Sequence, residues 1–389
     1  MIPEGVEEHY RREPALGQKQ QELRNTAARR TEEEVRDFRA DRQRQSTAGT
    51  DHRIRILHLS DLHFQDEAFA NVCRTQLETD LRQELKIDRL SYLVLSGDIT
   101  QRATEEEFRA AFGLVDTLVK RFGLDASRVV VVPGNHDVNW ALSEDAYPFI
   151  PKSRLPKALL EDRHIPAGDI GALVRDDDKY QKRLNPFDDH FYRHVYPGES
   201  YPLDAAEQFL WLERPEDRIL FLGLNSCWQI DHHFTGRASI DPSALSRALD
   251  RLNEGREKYH GWLKIAVWHH PVTGRGAMNA DFMEQLAVHG FQLCLHGHIH
   301  EAMEGFHKYD DKRGIRIVGA GTFGASAKKQ ITGIPLQYNL LTLDPATGEM
   351  RVDTRKKEKS HGAWSADARW GDKNEPKAWY GFSVRAGAR

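Results

Sequence analysis

Seven short apolar runs, each ending at a small or polar residue, constrain this chain more than any other feature. They are IRILHLS (54–60), YLVLSG (92–97), RVVVVPG (128–134), ILFLGLN (219–225), LKIAVWH (263–269), QLCLHG (292–297) and IRIVGAG (315–321). Near-continuous apolar runs of this length mark strands covered on both faces. Helix signals lie between them. Thr104 and Glu107 have capping-box spacing at the head of a helical pattern ending at Phe122. Asp241-Pro242 supplies an N-cap and an N1 proline before SALSRALDRL. The alternation predicts an α/β fold on a mainly central sheet, with YNLLTLDPATGEMRVDT (338–354) as a hairpin closing it.

Composition excludes several classes. The chain has 389 residues, 39% hydrophobic and 29% charged, which is the balance of a soluble globular protein. No run approaches the roughly 18–20 apolar residues of a membrane span. MIPEGVEEHYRREP at the N-terminus lacks the apolar stretch of a secretory signal, so a cytoplasmic protein without membrane attachment is expected. Three cysteines without CxxC spacing argue against a disulfide framework or a thiolate zinc site.

Two segments stand outside the strand–helix rhythm. Residues 1–50 carry ten basic and ten acidic side chains without a sustained apolar stripe, and read as a polar arm, helical or disordered. Between Asn139 and Arg218 no core strand is evident and prolines recur, so residues 139–218 read as a helical, Pro-rich, cap-like insertion in a domain spanning 51–354. From Val138 to Arg218 there are 16 acidic and 11 basic residues, a net −5 that would disfavour long polyanions. Residues 355–389 form a basic, aromatic extension expected to pack on the domain.

The residues just past each strand carry the chemistry. Asp61-Leu62-His63 comes after the first run, Gly97-Asp98 after the second and Gly134-Asn135-His136-Asp137 after the third. His269-His270-Pro271 comes after the fifth, and His296-Gly297-His298-Ile299-His300 after the sixth. Ligands of open α/β sheets bind at the C-terminal ends of strands, so these groups converge on one crevice. Carboxylates, imidazoles and an amide oxygen without thiolate suit Mn, Fe or Zn. Their number exceeds the needs of one ion and suits two, about 3.5–4 Å apart.

At these residues the sequence resembles the calcineurin-like metallophosphoesterases, whose pattern DxH, GD, GNH(D/E), H, GHxH is present in full from Ile54 to Thr354. SGDITQRATEEEF and NSCWQIDHHFTGRASIDPSALSRALDRL look most like the class III cyclic-nucleotide and glycerophosphodiester phosphodiesterase branch. The resemblance implies a four-layer α/β/β/α sandwich and two divalent ions, Mn first, Fe or Zn as alternatives. It assigns Asp61, His63 and His300 to one ion and Asn135, His269 and His298 to the other, with Asp98 bridging. His270 would face substrate or support a ligand, and His296 is given no role. His136 is the candidate general acid, with Asp137 orienting it or merely capping the turn.

The activity expected is hydrolysis of phosphodiesters, and of phosphomonoesters as a side activity, by in-line attack of a hydroxide held between the ions. The alternative is a nuclease acting on DNA or RNA with the same centre. From Glu301 onward there are 16 Lys/Arg and 11 Asp/Glu, including Lys328-Lys329 and RKKEK (355–359), and Trp364, Trp370, Trp379 and Tyr380 lie nearby. A third reading is a catalytically silent scaffold. Sequence leaves the oligomeric state open.

Overall fold

The computed structural model describes residues 52–158, 160–274, 276–325 and 333–384. The arm at 1–50, Lys328-Lys329 and the last five residues lie outside them.

Strands β1 (Ile54–Leu59), β2 (Tyr92–Ser96) and β3 (Val129–Val132) come first. A small excursion comes next: β4 (Phe149–Pro151), β5 (His164–Ala167) and β6 (Gly171–Val174). Then come β7 (Phe209–Arg214), β8 (Ile219–Leu224), β9 (Leu263–Val267), β10 (Leu293–His296), β11 (Met303–Lys308) and β12 (Gly314–Gly319), and the hairpin of β13 (Leu336–Asp344) and β14 (Glu349–Lys357).

Two sheets are built from them. One runs β14-β13-β1-β2-β3, with β1, β2 and β3 parallel and β13 antiparallel to β1. The other runs β11-β12-β10-β9-β8-β7, with four parallel central strands and an antiparallel strand at each edge.

The apolar runs are continuous because each strand serves two layers. Ile56, Val94 and Val130 from the first sheet meet Phe221, Ile265, Val267 and Leu293 from the second in a common inner core. The intervening Leu57, Leu93, Leu95 and Val131 face outward, onto helices Glu67–Thr79 and Glu105–Phe122. On the second sheet Leu220, Leu222, Ala266 and Cys294 face helices Pro242–Glu254 and Phe282–Val288. This is an α/β/β/α sandwich. The helix starts obey the sequence signals. Thr104 and Glu107 form a reciprocal capping box, and Asp241 accepts from the amides of Ser243 and Ala244, each cap worth about 1 kcal/mol.

The stretch between Asn139 and Arg218 differs from the strandless reading in two ways. β7 belongs to it, yet forms an edge of the second sheet. As an edge strand it is only half buried, so FLWLER mixes apolar and charged residues and hides the apolar-run signal. The segment also divides. β4, β5 and β6 form a small antiparallel sheet of their own, whose base rests on a cluster of Ala146, Tyr147 and Tyr180. Residues 184–201 instead send Phe187, Phe191, Tyr192 and Val195 into the layer around helix Glu105–Phe122.

At the other end, Ser365–Ala366 and Trp379–Ser383 both pair with β14. Much of the basic, aromatic sequence there is interior. Arg355 is buried against the Asp80 carboxylate at 2.8 Å, which Tyr338 also approaches. Lys357 is fully buried, donating to Gln76 Oε1 at 2.6 Å above the Trp364 ring.

Candidate metal centre

β1, β2 and β3 lie side by side in one sheet, β9 and β10 side by side in the other, and their C-terminal loops meet. Backbone hydrogen bonds lock the loops together: Asp61 N donates to Gly97 O at 3.1 Å, His63 N to Asp98 O at 3.1 Å, and Gly297 N to His269 O at 3.0 Å. The approach leaves no room for side chains. A Cβ on Gly134 would sit 2.1 Å from Asp98 N, and one on Gly297 1.7 Å from Ser60 Oγ.

The turns are strained. Of eight non-glycine residues with positive φ among the described residues, five are Asp61 (52°), His63 (47°), Asp98 (51°), His298 (68°) and His300 (57°). Such conformations cost roughly 1–3 kcal/mol each and persist only where the surroundings dictate them. Here they aim side chains at one point.

The side chains form linked clusters. Ligand atoms lie within 4.8 Å of one another in Asp61/His63/His300, in Asp61/Asp98/His269, in His63/Asp98/His136 and in His269/His270/His298. Each carboxylate is half committed to the protein. Asp61 Oδ2 accepts from Ser60 Oγ at 2.6 Å and His298 N at 3.0 Å, and Asp98 Oδ1 from His136 N at 2.8 Å. The other oxygens, Asp61 Oδ1 and Asp98 Oδ2, are buried without a hydrogen-bond partner, as is Asn135 Oδ1. Around them His300 Nδ1 stands 3.4 Å from Asp61 Oδ1, and His269 Nε2 3.2 Å from Asp98 Oδ2. Ligands at about 2.0–2.2 Å from a shared cation stand at such separations from one another. An orphaned buried acceptor costs about 1–3 kcal/mol, so two carboxylate oxygens left bare among imidazoles, with a bare amide oxygen on the Asn135 turn, fit a divalent ion.

Electrostatics agree. Burial alone would raise the carboxyls, but neighbouring imidazoles outweigh it: His63, His269 and His300 for Asp61, and His269, His136 and His63 for Asp98, hold both below the usual range. Burial works to lower His269 too, yet Asp98 and Asp61 raise it to about 9. His298, desolvated and beside His269, falls to about 4. The centre thus prefers positive charge at the carboxylates and neutral, ligand-ready imidazole at His298.

Asp137 and His270 are both buried beside the ligand residues. Asp137 accepts from the amides of Ile99 (3.1 Å), Thr100 (2.9 Å) and Gly134 (2.8 Å) and from Thr100 Oγ1 (2.9 Å), and makes no hydrogen bond to the His136 ring. These bonds hold the turn that carries Asn135 and His136. Burial, then the charge of Asp98, raises the Asp137 carboxyl to about 6. His270 is buried behind His298, its Nδ1 2.9 Å from Ser226 Oγ, and does not line the neighbouring cavity. It sits within ligand reach of His269 and His298. His136 does line that cavity, with Nδ1 2.9 Å from the Gln101 carbonyl oxygen.

Sequence reasoning missed the residues that hold these ligands. Ser60 grips Asp61, Ser226 Oγ takes the amides of His269 and His270, and Thr322 Oγ1 lies 2.6 Å from His300 Nδ1. Ser60 and Ser226 occupy strand-end positions where a small polar residue could have flagged them. Thr322 reaches His300 through the pairing of β12 with β10 and its own bridge to Ser60, which no local signal encodes.

The two-sheet sandwich thus carries a His/Asp cluster at its strand ends. The chain belongs to the calcineurin-like phosphoesterase family, whose model matches residues 54–302. It is 24% identical over 334 residues to the Bacillus subtilis (strain 168) uncharacterized metallophosphoesterase-like protein YydB, an alignment covering 83% of this chain and 62% of that relative. Among solved structures, PhoD shares 10% identity at a TM-score of 0.49, covering 86% of this chain and 70% of that one. A predicted phosphoesterase of Streptococcus pneumoniae TIGR4 shares 11% identity at 0.33, covering 86% and 99%. No helix among the described residues is long and apolar enough to cross a membrane.

Proposed function

We propose that the chain hydrolyses small phosphodiesters at a centre of two divalent ions, Mn first, with Fe or Zn as alternatives. The observation that carries this is the pair of buried, unpartnered carboxylate oxygens of Asp61 and Asp98 among the imidazoles, with the unpartnered Asn135 Oδ1 beside His136 in the chain. Asp61, His63 and His300 would hold one ion and Asn135, His269 and His298 the other. Asp98 would join them, since it clusters with His63 and His136 as well as with Asp61 and His269. When bound, such ions supply a water nucleophile near neutral pH and neutralise phosphoryl charge.

The protein's own part is positioning and proton transfer. The Gln101 carbonyl can only accept, so the proton on His136 Nδ1 is fixed there. A second proton on that ring is therefore carried by Nε2, in a residue that lines the cavity, and can pass to a leaving alkoxide. The phosphodiesterase reading gains over the nuclease one because Arg355, Lys357 and Trp364 are interior rather than a groove. The test is a panel: Mn-loaded protein on bis(p-nitrophenyl) phosphate, p-nitrophenyl phosphate, cyclic nucleotides, and labelled DNA and RNA, alongside elemental analysis. About two metal ions per chain and fastest turnover of a small diester are expected. Faster cleavage of DNA or RNA would replace this reading with the nuclease, and metal-free, inert protein would replace it with the scaffold.

A further inference from the structure

A cavity of about 320 Å³ opens beside the metal centre. His63, His136 and His300 belong to its lining, so an ester held at those imidazoles has one substituent inside it. The rest of the lining is of two kinds. Ile334, Pro335 and Leu336 give an apolar strip, and Gln65 and Gln101 add carboxamides. Among the described residues lining it there is no Lys, Arg, Asp or Glu.

The carboxamides have hydrogen bonds to give. Gln65 Nε2 is buried without a partner. Gln101 Nε2 lies 3.1 Å from His136 Nδ1, but that nitrogen already donates to the Gln101 carbonyl and cannot also accept. At least one of its two N–H groups is thus open to a ligand. Among the described lining residues a second phosphate or a carboxylate would find no Lys or Arg, and a purely aliphatic substituent would leave the amides unanswered. A flat neutral ring with an apolar face and a carbonyl-bearing edge answers both.

Resting on the phosphodiesterase reading above, we infer that this cavity selects diesters whose second arm is a neutral heterocycle with amide-type acceptors, as in a pyrimidine nucleoside. Gln65 and Gln101 would read its edge, and the Ile334–Leu336 strip would cover its face.

Three p-nitrophenyl diesters with the same leaving group test this, their second arms being methyl, phenyl and 5′-thymidyl. With Mn-loaded protein the expected order of kcat/KM is thymidyl, phenyl, methyl, the ends about 10²-fold apart, as two hydrogen bonds and a buried ring face would give. Gln65→Leu should cut the thymidyl-to-phenyl ratio about tenfold, and Ile334→Glu should cut the phenyl-to-methyl ratio by a similar factor. Calorimetric binding of thymidine, which has no phosphate, supplies a readout independent of turnover, and Gln65→Leu should weaken it at unchanged melting temperature. Equal rates on all three diesters with no thymidine binding overturn the inference and leave the phosphodiesterase reading standing. No turnover of any diester with Mn, Fe or Zn overturns that reading instead, while thymidine binding lost in Gln65→Leu would still support the cavity.

Discussion

The loops that hold the metal centre and the insertion after Asn139 are built on opposite terms. The ligand loops as a set are fixed by backbone hydrogen bonds, by positive-φ turns at Asp61, His63, Asp98, His298 and His300, and by Gly97, Gly134 and Gly297 with no space for a methyl group. The outer part of the insertion is a three-stranded sheet joined to the sandwich through its base. There Tyr147 donates to Asp231 at 2.8 Å, and the buried Arg183 lies over the Tyr180 ring at 3.7 Å while donating to the carbonyls of Tyr180, Trp228 and Ile230. Chemistry needs atoms fixed to fractions of an ångström, so strain is tolerated there. An appended element needs only an anchor. Substitutions should therefore act locally and severely in the first region, and gradually in the second.

The largest effect belongs to Asp98. Asp98→Asn removes one of two charges whose bare oxygens define the centre. Turnover should fall by at least about 10³-fold, on the scale of losing a key electrostatic contact. Metal at 100-fold over its Kd should stabilise the native protein by about 2.7 kcal/mol. That gain, read as a melting-temperature rise reversed by chelator, should largely vanish in Asp98→Asn. Unchanged metal content and rate would remove Asp98 from the centre.

His136→Ala comes next. His136 closes a cluster with His63 and Asp98 but is assigned to no ion, so metal content should survive. The rate on alkyl leaving groups should drop about 10²–10⁴-fold, the usual range for a general acid. On p-nitrophenolate, which leaves without a proton, the loss should be far smaller. Equal losses on both would deny His136 the acid role.

The anchor predicts a smaller change. Arg183→Met removes a buried cation and leaves three carbonyls short of a donor, at a cost of about 2–3 kcal/mol. Hydrogen exchange should quicken at 146–180 and 226–234 ahead of the sandwich. Uniform loss of protection across all residues would mean that the insertion and the core open as one unit.

The same contrast explains what could be read from sequence. The seven strand runs and five ligand blocks are local: each strand carries its ligands at its own end, and burial on both faces leaves an unbroken apolar signature. β7 escaped because an edge strand buries one side only. The division of the insertion escaped because Phe187 and Phe191 look like any aromatic residues until helix Glu105–Phe122 is seen beside them. Which neighbours Asp137 and His270 face is three-dimensional information that a motif does not carry. Arg355 and Lys357 looked like a basic patch because sequence cannot show Asp80 and Gln76, some 275–281 residues earlier, meeting them.

The smallest effect expected is from deleting the outer sheet, and the register shows how to do it. Phe149 pairs with Leu173 and Ile150 with Ala172 in an antiparallel ladder, so Phe149 and Leu173 stand about 4.5–5.5 Å apart. A two-residue Asn-Gly turn can close that gap in place of residues 150–172. Tyr147, Tyr180 and Arg183 stay, as do Phe187 and Phe191, so the anchor and the core layer are kept. The removed piece carries Lys152, Arg154, Lys157 and Arg163 against Glu161, Asp162 and Asp169, a net +1. The acidic excess of the insertion therefore lies in the part retained. None of the described residues removed lines the cavity beside the centre. Metal content should be unchanged and kcat/KM for the methyl p-nitrophenyl diester should stay within about twofold, since exposed surface far from such contacts rarely matters more. A drop beyond tenfold with metal still bound would mean that the outer sheet reaches the substrate. The insertion would then be a lid, and the contrast between fixed centre and appended element would fail at this point.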